Sequence, residues 1–187
     1  MPFDSILPEE ILGYSGHIVF TTRKESPRKC DKVLLHEDIF EHHHTVIRGV
    51  MMQKLNQNFK DENLILGIDP GERIGLSIFY YGQEIERSFY SSVENLTFHI
   101  IQILGGLRAK RKILKIGDGN MKISKQIVMM LNLKFCSSFE LEFVDEQKTS
   151  LKIKNFNQRG KRDMLSAKHI SQRDGYRHMI LPLSMTG

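Results

Sequence analysis

Leu64-Ile65-Leu66-Gly67-Ile68-Asp69-Pro70-Gly71-Glu72-Arg73-Ile74-Gly75-Leu76-Ser77 is the stretch whose reading decides the fold. Leu64, Ile65, Leu66 and Ile68 make a short aliphatic run, bounded by polar residues upstream and by Pro70-Gly71 downstream. Such a run reads as a buried strand, and the Pro-Gly pair as a tight turn into a second strand, Ile74 to Tyr81. Asp69 closes the first strand. A carboxylate at the lip of a buried strand is costly unless positive charge sits opposite it. A divalent cation is the usual solution where further acids converge.

Downstream, the pattern is regular. Glu84 to Tyr90 reads as a third strand, and Ser91 or Ser92 as the cap of a helix with Val93, Leu96, Ile100, Ile103, Leu104 and Leu107 on one stripe. Gly105-Gly106 and the basic run Arg108 to Lys112 close that helix, as its negative end prefers. Ile113 to Ile116 is a fourth strand ending at Gly117-Asp118-Gly119, followed by a helix over roughly Ser124 to Leu131. Phe139 to Val144 is a fifth strand ending at Asp145-Glu146. Lys148 to Lys161 reads as a basic loop, and the last helix starts near Asp163 with Met164, Leu165, Ala167, His169 and Ile170. The order β-β-β-α-β-α-β-α predicts an α/β domain: a mixed five-stranded sheet, its first three strands antiparallel, flanked by helices.

Asp69, Asp118 and the pair Asp145-Glu146 each end a strand, and Asp163 opens the closing helix. With the first strand parallel to the fourth and fifth, these ends share the edge where ligands of such sheets bind. Oxygen donors of this kind suit Mg2+ or Mn2+ rather than zinc. Two such ions about 4 Å apart activate water and stabilise the leaving oxygen in phosphodiester cleavage. Each acid alone also fits a plainer role. Gly117-Asp118-Gly119 is a turn signal, Asp163 a helix cap, and Asp145-Glu146 a solvated turn. Their joint placement favours a site.

Upstream, residues 1–60 read as a small α+β appendage and 61–187 as the main domain. His17 to Thr22 is a strand, Glu25 to Lys32 a polar loop, and Asp31 the cap of a helix from about Lys32 to Leu55. Leu35, Ile39, Val46 and Val50 fall on one face of it, and Gly49 weakens it. His42-His43-His44 cannot ligate one ion from a regular helix, because successive residues point about 100° apart. They are therefore expected on a polar helix face, with one histidine near the core.

The chain has 187 residues, 40% hydrophobic and 26% charged, enough to bury a core. No apolar run approaches the ~20 residues of a membrane span, so no membrane partner is expected. Two cysteines, Cys30 and Cys136, make no disulfide framework, and Met1-Pro2-Phe3-Asp4-Ser5 lacks the build of a secretory signal. The expectation is a cytoplasmic protein. A net charge of +5, with basic clusters at Arg23 to Lys32, Arg108 to Lys115 and Lys148 to Arg162, suits a phosphate-backbone partner.

Gly67-Ile68-Asp69-Pro70-Gly71 with Ile74-Gly75-Leu76-Ser77 resembles the first motif of RuvC-type Holliday junction resolvases. Val144-Asp145-Glu146-Gln147-Lys148-Thr149-Ser150 is similar to the D-E-R-x-T-[ST] motif of the YqgF (RuvX) group, and Asp163-Met164-Leu165-Ser166-Ala167 to the start of that group's closing helix. The resemblance spans about residues 63–175. It implies a ribonuclease H-like fold and metal-dependent cutting of structured nucleic acid. In RuvC-type enzymes the substrate is a four-way DNA junction bound by a homodimer, whereas the YqgF group is linked to ribosomal RNA maturation. Carried over residue by residue, Asp69, Asp118, Glu146 and Asp163 would be catalytic and would hold, with Asp145, two Mg2+ or Mn2+ ions. The chain departs from the pattern at Asp118, where RuvC-type enzymes carry Glu, at Ser166, where a second Asp often stands, and at Gln147, where the D-E motif has Arg.

The leading expectation is thus a metal-dependent endonuclease on branched DNA or structured RNA. Arg73, Lys148, Lys152, Lys154, Arg159, Lys161 and Arg162 would contact phosphates, making binding salt-dependent. A non-catalytic nucleic-acid-binding module that keeps the fold is the alternative. A phosphotransferase or ATPase of the sugar-kinase type also opens with a D-x-G turn, but needs two such halves.

Overall fold

The computed structural model describes residues 3–55, 61–135, 139–146 and 159–178. The chain separates into two compact units, Met1–Asn58 and Phe59–Gly187.

In the first unit, β1 (Ile18–Thr21) and β2 (Val33–His36) form a parallel pair with Ile18 opposite Val33 and Thr21 opposite His36. A 3-10 turn, Glu37–Glu41, leads to helix α1 (His44–Leu55). The helix expected from Lys32 is therefore corrected: its first half is strand and turn. The aliphatic run Val33-Leu34-Leu35 finds a backbone partner in β1, and tertiary pairing overrides a weak helical pattern. His42 is extended, with ψ 158°, which delays the helix to His44. His42 and His43 precede α1 rather than riding on it, and the Thr45 N–H donates to His43 Nδ1 at 3.3 Å. Gly49 is buried inside an unbroken helix. Val19, Leu35, Ile39 and Val46 are buried in this unit.

The second unit is α/β, with a mixed sheet flanked by helices. Its strands are β3 (Asn63–Asp69), β4 (Ile74–Tyr80), β5 (Gln83–Tyr90), β6 (Arg111–Gly117), β7 (Glu140–Val144) and β8 (Tyr176–His178), in the order β5-β4-β3-β6-β7-β8. β3, β4 and β5 are successive antiparallel neighbours, β3, β6 and β7 run parallel, and β8 returns antiparallel on β7. The sheet has six strands where five were expected. Tyr-Arg-His is fully exposed and shows no apolar alternation, so only backbone pairing to the β7 edge makes it a strand.

Helices α2 (Val93–Gly106) and α3 (Met121–Phe135) bridge β5 to β6 and β6 to β7. Both crossovers advance in the same direction across the sheet, so right-handed connections place both helices on one face. Ser92 caps α2, accepting the Asn95 N–H at 3.2 Å. Leu64, Leu66, Ile68, Leu76, Ile78, Leu114 and Ile116 from the strands, with Leu96, Ile100, Ile103, Ile127 and Leu131 from these helices, are fully buried. Burying each such side chain contributes about 1.5–3 kcal/mol, which makes this layer the main source of stability.

Helix α4 (Arg159–Gln172) lies on the opposite face. It rests on glycines. A Cβ on Gly67 would lie 2.6 Å from the Ser171 Cβ, and one on Gly75 would overlap the Asp163 carbonyl and lie 2.7 Å from its carbon. Real Cβ atoms do not approach so closely, so both positions demand glycine for space alone. Gly75→Ala is expected to lower the unfolding free energy by about 2–4 kcal/mol, since backbone rather than a movable side chain stands in the way. Urea unfolding measures this, with Gly13→Ala, whose nearest obstacle is 3.8 Å away, as the near-neutral comparison.

Candidate functional site

Three neighbouring parallel strands deliver the acids. Ile68 pairs with Ile116 and Gly117 with Val144, so Asp69, Asp118 and Asp145 leave β3, β6 and β7 at one edge, Asp118 level with Asp145 and Asp69 level with Gly117. The Asp118 N–H donates to the Val144 carbonyl at 3.1 Å, carrying the ladder one residue beyond β6. The Asp118 carboxylate in turn accepts the Glu146 N–H at 2.9 Å, which fixes the chain where it leaves β7.

Glu146 then folds back over the glycines beside Asp118. A Cβ on Gly117 would lie 2.6 Å from the Glu146 carboxyl carbon, and one on Gly119 2.7 Å from it. The Gly119 N–H donates to the same carboxylate. Burial raises the Glu146 carboxyl above its ordinary range, the Asp118 charge adds to that, and the Gly119 N–H opposes it.

Asp163 enters from α4. The helix begins four residues earlier, at Arg159, so Asp163 is inside it and does not open or cap it, as had been expected. Lys and Arg are good helix formers and extend the helix upstream through residues that read as loop. The Asp163 carbonyl sits over Gly75, and Gly75 pairs with Asp69 across the sheet, so Asp163 stands beside Asp69.

Asp69 is the focus. Its carboxyl is pushed up to about 7, first by burial and then by the Glu146 charge, with Asp163 adding to it. A hydrogen bond from the Ser166 hydroxyl and the positive charge of Arg162 pull the other way. Like charges gathered in a partly dry site raise one another's pKa in this manner.

Asp69, Asp118, Glu146 and Asp163 are thus brought together. Of the strand-end pair, Glu146 is the one whose charge raises Asp69. Asp118 spends one oxygen on the Glu146 backbone. Arg73 and Arg162 are exposed, and neither pairs with a carboxylate among the described residues. The guanidinium carbon of Arg73 lies 5.7 Å from the Phe89 ring centroid. Arg159 and Lys161 lie in the first turn of α4, while Lys148, Lys152 and Lys154 fall outside the described residues.

Ser166 and the glycines at 67, 75, 117 and 119 were not foreseen as site residues. Ser166 follows Asp163 at the i+3 spacing that shares a helix face, which is the signal that marks it. The glycines gave none, because close approach is a property of the partner surface.

The donor set fits a hard divalent cation. It is all carboxylate oxygen, the hard donor type that such ions take, with like charges that a cation would offset. No helix among the described residues is long and apolar enough to cross a membrane. When the chain was compared with known families and with curated proteins, no family model and no curated protein matched it.

In metal-free protein the raised Asp69 carboxyl sets a pH dependence. Between its ordinary 3.8 and about 7 the folded state keeps a proton that the unfolded state has lost. That contribution to stability is full below 3.8 and is lost as pH rises through about 7. In EDTA at pH 8, Asp69→Asn is expected to unfold at higher urea than the unmodified chain, by about 1–3 kcal/mol, with the gap closing toward pH 4. Equal stabilities at pH 8 would contradict the electrostatic picture.

Proposed function

We propose that the second unit is a divalent-metal-dependent endonuclease of ribonuclease H-like, RuvC/YqgF-type build, cutting phosphodiester bonds in branched DNA or structured RNA. The observation that carries the reading is the meeting of carboxylates from β3, β7 and α4 at one sheet edge, through the Asp69–Gly75–Asp163 row and the seat of Glu146 on Gly117 and Gly119. The net charge of +5 and the exposed Arg162, whose charge acts on Asp69, support a polyanionic substrate.

Asp69, Glu146 and Asp163, with the remaining oxygen of Asp118, would hold Mg2+ or Mn2+. Bound there, such ions supply an activated water and charge stabilisation for the leaving oxygen. The chain's own groups prepare the site. The Ser166 hydroxyl holds the Asp69 carboxylate, and the Gly119 N–H holds that of Glu146. Asp118 fixes the backbone that carries Glu146. Arg73 and Arg162 bring positive charge to the edge where the phosphate must enter, so that an anion can approach the acids.

Junction, flap, duplex and structured-RNA substrates, incubated with Mg2+ or Mn2+, test the reading. Cleavage of at least one is expected, lost in EDTA and lost in Asp69→Asn while nucleic-acid binding persists. An unchanged cutting rate in Asp69→Asn overturns it. Binding of nucleic acid with no Mn2+ affinity by calorimetry would instead make the unit a non-catalytic nucleic-acid-binding module.

A further inference from the structure

Phe89 on β5 is 49% exposed, whereas Ile74, Leu76 and Ile78 on the neighbouring β4 are buried. The sheet register fixes its place. Asp69 pairs with Gly75, and Gly75 with Phe89, so the three form one row across β3, β4 and β5 on a single face. Gly75 adds no side chain, and the Asp163 carbonyl occupies the space above it. With neighbouring strands about 4.8 Å apart, Phe89 stands about 10 Å from Asp69, on the far side of the Asp163 turn.

Arg73 comes from the turn that follows Asp69 and lays its guanidinium over the Phe89 ring, 5.7 Å from the centroid. β5 is the edge strand of the sheet. Edges are ordinarily protected by charge or by short length, not by half-exposed aromatic rings. Phe89 adds little to the core, which makes an aromatic there costly to solubility unless it meets something flat.

We infer that Phe89, backed by Arg73, is a stacking platform for an unpaired nucleobase next to the phosphodiester held at the Asp69–Glu146–Asp163 cluster. This rests on the nuclease reading above and narrows its substrate class. The strand that is cut carries at least one unpaired nucleotide beside the cut, as at a flap, a junction arm or a loop. A phenyl ring has no hydrogen-bonding group, so it accepts any base by its π-face. Inside a duplex those faces are already stacked, and the platform offers nothing to them. Arg73 strengthens the platform as a cation over the ring and supplies charge for the neighbouring phosphate.

The test uses the full chain in EDTA, so that nothing is cut. The probe is an oligonucleotide duplex with a single-stranded flap carrying 2-aminopurine at its first unpaired position, against the same duplex without a flap. The unmodified chain is expected to quench the probe. Phe89→Ala is expected to lose the quenching and to bind the flap about tenfold more weakly, with the plain duplex bound equally by both. Phe89→Trp is expected to restore the quenching. Unchanged circular dichroism and melting of Phe89→Ala exclude a folding defect, since the side chain is half in water. Quenching by Phe89→Ala equal to that of the unmodified chain overturns the platform, as does absence of binding to both probes. Metal-dependent cleavage, assayed separately on Asp69→Asn, decides the nuclease reading whichever way the platform falls.

Discussion

Helix α4 touches the sheet backbone to backbone, and the rest of the site depends on that contact. At Gly67 the helix meets the strand through Ala167 and Ser171, and at Gly75 through the Asp163 carbonyl. Small residues on both sides let the axis come closer than the usual separation set by intervening side chains. Ala167 and Ile170 are fully buried in consequence, and Ser171 nearly so. A helix held one side chain farther out would lift Asp163 and Ser166 away from Asp69, and the strand-end acids would have no partner from above.

The two sheet faces divide the work. The α2–α3 face is aliphatic and supplies the hydrophobic stabilisation. The α4 face is largely polar. Lys115 is buried, donates to the Arg173 carbonyl and stands 3.5 Å from Glu142. Glu84 accepts from Ser77, Arg87 and Lys168, and these partners hold its carboxyl down to about 2. These pairs add little net stability, since desolvation offsets most of their attraction. What they do is direct the chain: Lys115 fixes the end of α4 where it turns toward β8, and Lys168 ties the middle of α4 to β5.

Against those compensated pairs, Asp69 stands beside the like charges of Glu146 and Asp163, with the charge of Arg162 and the Ser166 hydroxyl opposing them. A fold that satisfies Lys115, Glu84 and Glu140 with partners has the means to satisfy Asp69 as well. Perturbed carboxylates of this sort, held by the surrounding packing, cluster at functional sites.

The sequence alone determined the elements with strong local patterns. The aliphatic run ending at Asp69, the Pro70-Gly71 turn, the Ser92 cap and the stripe from Val93 to Leu107 all read correctly, because periodicity and capping are local chemistry. From these followed the mixed sheet with its antiparallel first three strands and the parallel run that brings Asp69 and Asp118 to the same sheet edge. Tertiary structure decided the rest. Val33-Leu34-Leu35 became strand because β1 offered it hydrogen bonds, and Tyr176–His178 because β7 left an edge open. Whether Glu146 or Asp145 faces Asp69, and why Ser166 belongs with the acids, depended on glycines at 75, 117 and 119. A glycine in a sequence reports only a missing side chain; what fills the vacated space is known once the partner surface is in place.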